Sequence, residues 1–141
     1  MRRVLILVIS CLAVSAVMLA SNRPALAIKP FKDEFDKKYN IKTPSNDAEK
    51  SLAEKVSVAK CNVCHVGTSK KKRNAFGEAL DQYLDKKSDA KDVAKIQEAL
   101  AKVEAEHSVK GDDKSPTFGA LIKEGKLPGG DAVGGGGDDD K

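Results

Sequence analysis

The chain has 141 residues, of which 33% are charged and 4% aromatic, and it contains no tryptophan. Residues 28–141 hold 22 basic and 21 acidic side chains, a net charge of +1, because the first 27 residues carry three arginines and no acid. This balance gives no support to a generally cationic, nucleic-acid-binding protein. The 114 residues after position 27 suit one small domain, whose own hydrophobic core is expected to be thin.

The first 27 residues predict a secretory signal peptide. Arg2 and Arg3 precede an apolar run from Val4 to Leu19, and Ala25-Leu26-Ala27 has the small-x-small pattern of a cleavage site. A retained membrane anchor is the alternative, but the apolar run is short for a full span. We therefore expect an exported protein, periplasmic or secreted, with no stable membrane insertion once the signal peptide is removed.

Residues 28–45 predict an N-terminal extension that is either loosely ordered or a short amphipathic helix. Phe31, Phe35 and Tyr39 recur every four residues, which is the spacing of one helix face. We expect these rings to pack on the domain rather than to bind a partner.

The main domain is predicted to span residues 46–128, and it starts with a helix that leads into a cysteine motif. Asn46 or Asp47 predicts the cap of this helix, which is expected to run to about Lys60. Its apolar residues recur at helical spacing, at Ala48, Leu52, Val56, Ala59 and Val63.

Three more helices are predicted downstream. The first starts at Asn74, runs to about Leu84 and has an inner face of Phe76, Leu80, Tyr83 and Leu84. Ser88 or Asp89 caps the second, whose apolar stripe is Val93, Ile96, Leu100 and Val103. The third starts at the Ser115-Pro116 pair, ends at Gly125 and buries Phe118, Leu121 and Ile122.

The fold class predicted from these elements is all-α. No alternating strand pattern and no internal repeat is apparent in the sequence. Residues 129–141, rich in glycine and aspartate, predict a flexible acidic tail.

Residues 61–65 read Cys61-Asn62-Val63-Cys64-His65, the C-x-x-C-H pattern of c-type haem attachment. In that chemistry each thiol adds across one vinyl group of the porphyrin, so two thioether bonds tie the ring to one turn of backbone. The histidine that follows becomes the proximal ligand of the iron. The pattern predicts one covalently attached haem c, held by Cys61, Cys64 and His65, and the predicted export agrees with it.

Two other kinds of site compete for the same residues. Zinc needs four ligands, and residues 28–141 offer only Cys61, Cys64, His65 and His107 from the cysteines and histidines. A thiol–disulfide redox pair is the second alternative. Such a pair normally lies at a strand–helix junction, which this sequence does not predict.

The second axial ligand of the iron is left open. Met1 and Met18 both belong to the predicted signal peptide, so His/Met coordination is excluded. His107 is the candidate metal ligand, because it would point inward if the helix through Val103 extended that far. A lysine nitrogen, a bound water or an open position are the other options.

The basic run Lys70–Arg73 has two interpretations. It forms either an electropositive collar near the haem, which pairs with propionates or steers an acidic redox partner, or a solvated loop. Arg73 and Asn74 are the residues that we expect nearest to a propionate, and Gly67 is expected to serve the turn after the motif.

The motif resembles that of the monohaem cytochromes c. Because 76 residues follow His65, the arrangement is similar to class-I-like cytochromes c rather than to the c-prime type, in which the motif lies near the C-terminus. The missing methionine ligand and the long segment before the motif depart from that class.

A closer resemblance is to short exported cytochrome-like proteins of planctomycete-type bacteria. It rests on the segments Cys61–Gly67, Arg73–Gly77, Pro116–Gly119 and Gly125–Pro128. The resemblance covers most of the chain after the signal peptide. It implies a small helical domain wrapped around one covalently bound haem, and it implies no particular activity.

Together these features predict an exported haem-iron protein that carries one electron at a time to a redox partner protein and is not an enzyme. The alternative is a haem protein with an open distal site that binds small gases or has peroxidase-like activity.

Overall fold

The computed structural model describes residues 29–67 and 71–130. The predicted signal peptide, residue Lys70 and positions 131–141 of the predicted tail lie outside the described residues. Within these residues, five α-helices and one 3-10 turn follow in chain order: α1 (Lys29–Lys38), α2 (Asp47–Ala59), the 3-10 turn (Lys60–Val63), α3 (Ala75–Asp81), α4 (Val93–Glu104) and α5 (Phe118–Lys123).

The all-α prediction is confirmed for the described part of the chain. In that part of the chain, β-type backbone pairing is limited to two isolated antiparallel bridges, His65 with Arg73 and His107 with Thr117. Among the helices of residues 29–67 and 71–130, none has the length and apolarity that a membrane span requires.

The segment predicted as an N-terminal extension forms α1 and the turn after it. Pro30 lies in the first turn of α1, where its missing N–H removes no helical hydrogen bond. Phe35 and Tyr39 are buried, Phe31 is partly buried against the same core, and α1 packs against α4. The prediction that these rings pack on the domain is confirmed.

A chain of aromatic contacts crosses the interior. The ring of Phe35 lies 4.6 Å from that of Tyr39 and 5.8 Å from that of Phe76. Phe76 in turn meets Phe118 edge-on at 5.4 Å, and all three phenylalanines are at most 2% exposed. The core that the described residues build from their own side chains is therefore more substantial than the composition predicted.

The helix starts predicted at Asn46 and at Asn74 are confirmed, and the cap predicted at Ser88 or Asp89 is wrong. Asn46 and Asn74 each accept a backbone N–H three residues on, at the starts of α2 and α3. Asp92, rather than Ser88 or Asp89, caps α4 by accepting the Lys95 N–H at 3.0 Å. The Asp89 carboxylate is buried and already closes the preceding turn, where it accepts the backbone N–H of Asp85.

The start of the last helix also differs from the prediction. Thr117 caps α5 by accepting the Ala120 N–H at 3.1 Å, because the Ser115 hydroxyl is engaged in its own turn, donating to the Asp112 carbonyl. Two residues assigned to inner faces are exposed: Val93, which opens α4, and Tyr83, which follows α3.

Two tyrosines donate to glutamates in contrasting surroundings. The Tyr39 hydroxyl, which is buried, donates to Glu104 at 2.7 Å. The Tyr83 hydroxyl donates to Glu106 at the same distance from an exposed position. Burial, and secondly the Glu104 carboxylate, raises the pKa of Tyr39 well above its usual value.

Tyr39→Phe is expected to lower the free energy of unfolding by about 1–3 kcal/mol, since it removes a hydrogen bond to a charged group in the interior. Tyr83→Phe is the matched control and should change it by less than about 0.5 kcal/mol. Denaturant unfolding of the two variants measures both values, and equal losses would contradict the structure.

The raised pKa of Tyr39 also gives the stability a pH dependence with a definite sign. Its contribution is complete below the ordinary tyrosine pKa of about 10 and declines above it, because the unfolded chain ionises first. Wild-type protein should therefore lose stability more steeply above that pH than Tyr39→Phe does.

Candidate functional site

The C-x-x-C-H motif lies on a single turn of backbone at the end of α2. The Cys61 carbonyl accepts the N–H groups of both Cys64 and His65, at 3.3 and 3.2 Å. Cys61 is exposed, whereas Cys64 is half-buried and packs against the core. Neither cysteine forms a disulfide, so one turn carries two thiols and an imidazole.

The residue before the motif has a strained backbone. Lys60 adopts φ 52° and ψ −111°, a combination that residues with a Cβ rarely populate and that costs about 1–3 kcal/mol. Its N–H still caps α2 by donating to the Val56 carbonyl. The strain turns the chain out of the helix axis directly before Cys61.

Lys60→Gly is expected to raise the free energy of unfolding by about 1 kcal/mol, since glycine relieves the strain at some cost in chain entropy. Asn40 also has a positive φ of 53°, which asparagine tolerates. Asn40→Gly should therefore bring no comparable gain, and Lys60→Ala should bring none. Denaturant unfolding of the three variants would contradict the strain at Lys60 if glycine and alanine there behaved alike.

The imidazole of His65 is held through its Nδ1 atom. Nδ1 lies 3.2 Å from the Lys72 carbonyl oxygen, and the same oxygen accepts the N–H of Val66 at 3.1 Å. Because a carbonyl only accepts, Nδ1 carries the proton and the lone pair of the neutral ring is on Nε2. A metal-binding histidine typically has this tautomer and this kind of partner.

The basic run contributes main-chain atoms to the site. Lys72 supplies the carbonyl that holds His65, while its side chain is exposed. The guanidinium of Arg73, which we expected near a propionate, pairs with Asp81 at 2.7 Å. Sequence reasoning considered only the charges of this segment and missed its backbone role.

Asn74, the other residue expected near a propionate, holds the motif itself. Its side-chain Nδ2 donates to the carbonyls of Asn62 and Val63, at 3.1 and 3.0 Å. Its backbone N–H donates to the Cys64 carbonyl at 3.1 Å. Sequence reasoning placed the start of a helix at Asn74 and missed these contacts, because they span ten to twelve residues of chain.

His107 does not lie on the predicted helical stripe, because α4 ends at Glu104. It is half-buried in the following loop, bridged to Thr117. Its Nδ1 lies 2.6 Å from the Ser115 carbonyl oxygen, so by the same reasoning the lone pair of the neutral ring is on Nε2. Both histidines are therefore oriented by a backbone carbonyl.

The surroundings of the two histidines are related. Phe76-Gly77 lies eleven and twelve residues after His65, and Phe118-Gly119 lies eleven and twelve residues after His107. Each histidine forms an isolated bridge with the segment before the next helix. The rings of Phe76 and Phe118 meet edge-on at 5.4 Å. The stretch that contains His65 and α3 therefore contacts the stretch that contains His107 and α5.

The backbone hydrogen bonds and the helix contacts of the two stretches are also similar. The carbonyl before each histidine, of Cys64 or Glu106, accepts a backbone N–H from the start of the next helix. Helix α3 contacts α4 and helix α5 contacts α2, so the second helix of each stretch packs on the first helix of the other. The two stretches are thus similar units in reciprocal contact.

The two alternatives to haem make different demands on the described residues. Within 29–67 and 71–130, no group of three or more His, Cys, Asp or Glu side chains is placed to hold a metal ion. Burial raises the pKa of the Cys64 thiol to about 12, so this thiol stays protonated near neutral pH.

The residues around the motif fit a large apolar group. Val58 is 68% exposed and Val66 is 38% exposed, one on each side of the motif. Asn62 Oδ1 is buried with no hydrogen-bond partner, the one such side-chain atom in the described part of the chain. Two thiols outside any disulfide, an oriented imidazole and exposed valines are together compatible with haem attachment.

No family model, curated protein or solved structure matches this chain.

Proposed function

We propose that this protein is an exported monohaem c-type cytochrome that carries one electron at a time between redox partner proteins. In this proposal Cys61 and Cys64 form the thioether bonds and His65 is an iron ligand. The observation that supports it best is the orientation of His65 by the Lys72 carbonyl, on a turn that also carries two thiols. The domain wrapped around haem that the sequence predicts is part of the same proposal.

The residues at the site have separable tasks. The turn at residues 60–63 brings the two cysteines within one turn of each other. The Lys72 carbonyl fixes the His65 tautomer and makes Nε2 more basic, and Val58 and Val66 supply apolar surface. Bound haem would supply the Fe(III)/Fe(II) couple that makes one-electron transfer possible.

His107 is our proposed second axial ligand. The supporting observation is its likeness to His65: a Nδ1 contact with a backbone carbonyl and the same spacing to a Phe-Gly pair. Two histidine ligands favour electron transfer at a lower potential than a His/Met pair. An open position in place of His107 would instead favour the gas-binding or peroxidase-like alternative.

The optical spectrum of protein matured with a working haem-ligation system tests the proposal. The reduced protein is expected to show sharp low-spin bands that carbon monoxide leaves unchanged. Cys61→Ser and Cys64→Ser should each retain one thioether, with altered bands, and the double variant should lose covalent haem. Lys72→Ala is the control that should keep the spectrum, because the contact to His65 comes from the main chain.

Two outcomes would contradict the proposal in different ways. A high-spin spectrum that shifts with carbon monoxide would replace the electron carrier with the gas-binding alternative. A colourless product with both thiols titratable would show that no haem is attached to Cys61 and Cys64.

Replacement of His107 tests the second ligand separately. His107→Ala is expected to convert the reduced protein to a high-spin form that binds carbon monoxide and to change the reduction potential. Ser108→Ala is the matched neighbour and should change neither. If His107→Ala left both the spectrum and the potential of wild type, His107 would not be a ligand.

A further inference from the structure

We propose that Asn74 is a positioning residue for the haem motif, which fixes the turn that carries His65. This inference rests on the proposed function, since it concerns the same motif. It assigns to Asn74 a task beyond capping α3, and beyond the propionate contact expected from the sequence.

The proposal starts from three consecutive carbonyls of the motif that are held by one residue. Asn62 and Val63 accept the two protons of the Asn74 side-chain amide, and Cys64 accepts its backbone N–H. The side-chain oxygen of Asn74 meanwhile accepts the Gly77 N–H at 2.9 Å. The motif and the start of α3 are thereby joined through a single side chain.

Asparagine is the cap residue whose chemistry meets both demands. Serine, threonine and aspartate accept the N–H of a helix start as well as asparagine does. Serine and threonine have only one O–H donor for the two carbonyls of Asn62 and Val63, and an ionised aspartate has no donor at all. In the similar stretch that follows His107, the corresponding helix cap is Thr117, and its hydroxyl accepts the N–H of Ala120.

Two glycines allow this close approach. A Cβ on Gly77 would lie 2.0 Å from the Cys64 carbonyl oxygen. A Cβ on Gly129, after the last helix, would lie 2.1 Å from the Asn74 Nδ2 atom. The chain thus passes on both sides of the Asn74 contacts with no room for a side chain, which confines the amide to its present orientation.

The consequence falls on His65, which directly follows the last carbonyl that Asn74 holds. Its backbone is tied to Cys61 and its ring to Lys72, and Lys72 lies two residues before Asn74. Loss of the amide contacts would leave the turn attached to residue 74 only through the backbone N–H that donates to Cys64, and would weaken the alignment of the imidazole. A less firmly held imidazole donates less to iron, so the reduction potential should rise.

Asn74→Ser tests the inference, because it keeps a cap on α3 and removes the amide donors. Asn46→Ser is the matched control, an asparagine cap on α2 whose Oδ1 accepts from Glu49. In Asn74→Ser we expect amide hydrogen exchange at Cys64 and His65 to accelerate about tenfold or more. We also expect a raised potential and a changed pattern of haem-methyl NMR shifts, which depends on the orientation of the axial imidazole. Asn46→Ser should change none of these.

Gly129→Ala provides a second route if Asn74→Ser folds poorly. It displaces the whole Asn74 amide from outside, including the Oδ1 atom that caps α3, while asparagine stays at position 74. It should shift the same three measurements in the same direction. If both variants kept the exchange rates, potential and methyl pattern of wild type, Asn74 would be a helix cap only. Wild-type protein without haem would overturn the proposed function instead, and the exchange comparison at the motif would still test the Asn74 contacts.

Discussion

The turn from Cys61 to His65 is held by hydrogen bonds to the segment that leads into α3, and the remaining features of the site depend on this attachment. Four carbonyls of the turn, from Cys61 to Cys64, accept hydrogen bonds, three of them from Asn74. The Lys72 carbonyl then orients the imidazole. A cofactor attached to such a turn would be presented by a backbone with little freedom to move, which favours a low cost of reorganisation during electron transfer.

The hydrophobic core supports this turn through the start of α3. Phe76 lies at the start of α3 next to Gly77, which closely approaches the Cys64 carbonyl, and its ring is enclosed by Phe35 and Phe118. Helix α1 completes that enclosure through Phe35, in a segment for which the sequence left open a loosely ordered chain or a short helix. Strain at Lys60 is sustained because α2 and the core fix the chain on both sides of it.

Local signals in the sequence predicted the helical class, the span of α2, the cap at Asn46, the start of a helix at Asn74 and the motif itself. They failed where a polar residue had several possible partners. Asp89 and Ser115 resemble caps in sequence, but both close turns of their own. The contacts of Asn74 with Asn62 and the likeness between the His65 and His107 units depend on how distant segments meet, which periodicity along one helix does not report.

The likeness of the two units explains why His107 is a reasonable partner for His65, while only the first unit has cysteines. Covalent attachment at that first unit is therefore the central claim. The most direct measurement is the intact mass of the protein matured with a haem-ligation system, followed by peptide mapping. The account predicts a mass increase of one haem, located on the peptide with Cys61 and Cys64, and no thiol open to alkylation. An unmodified mass with both thiols alkylated would contradict it.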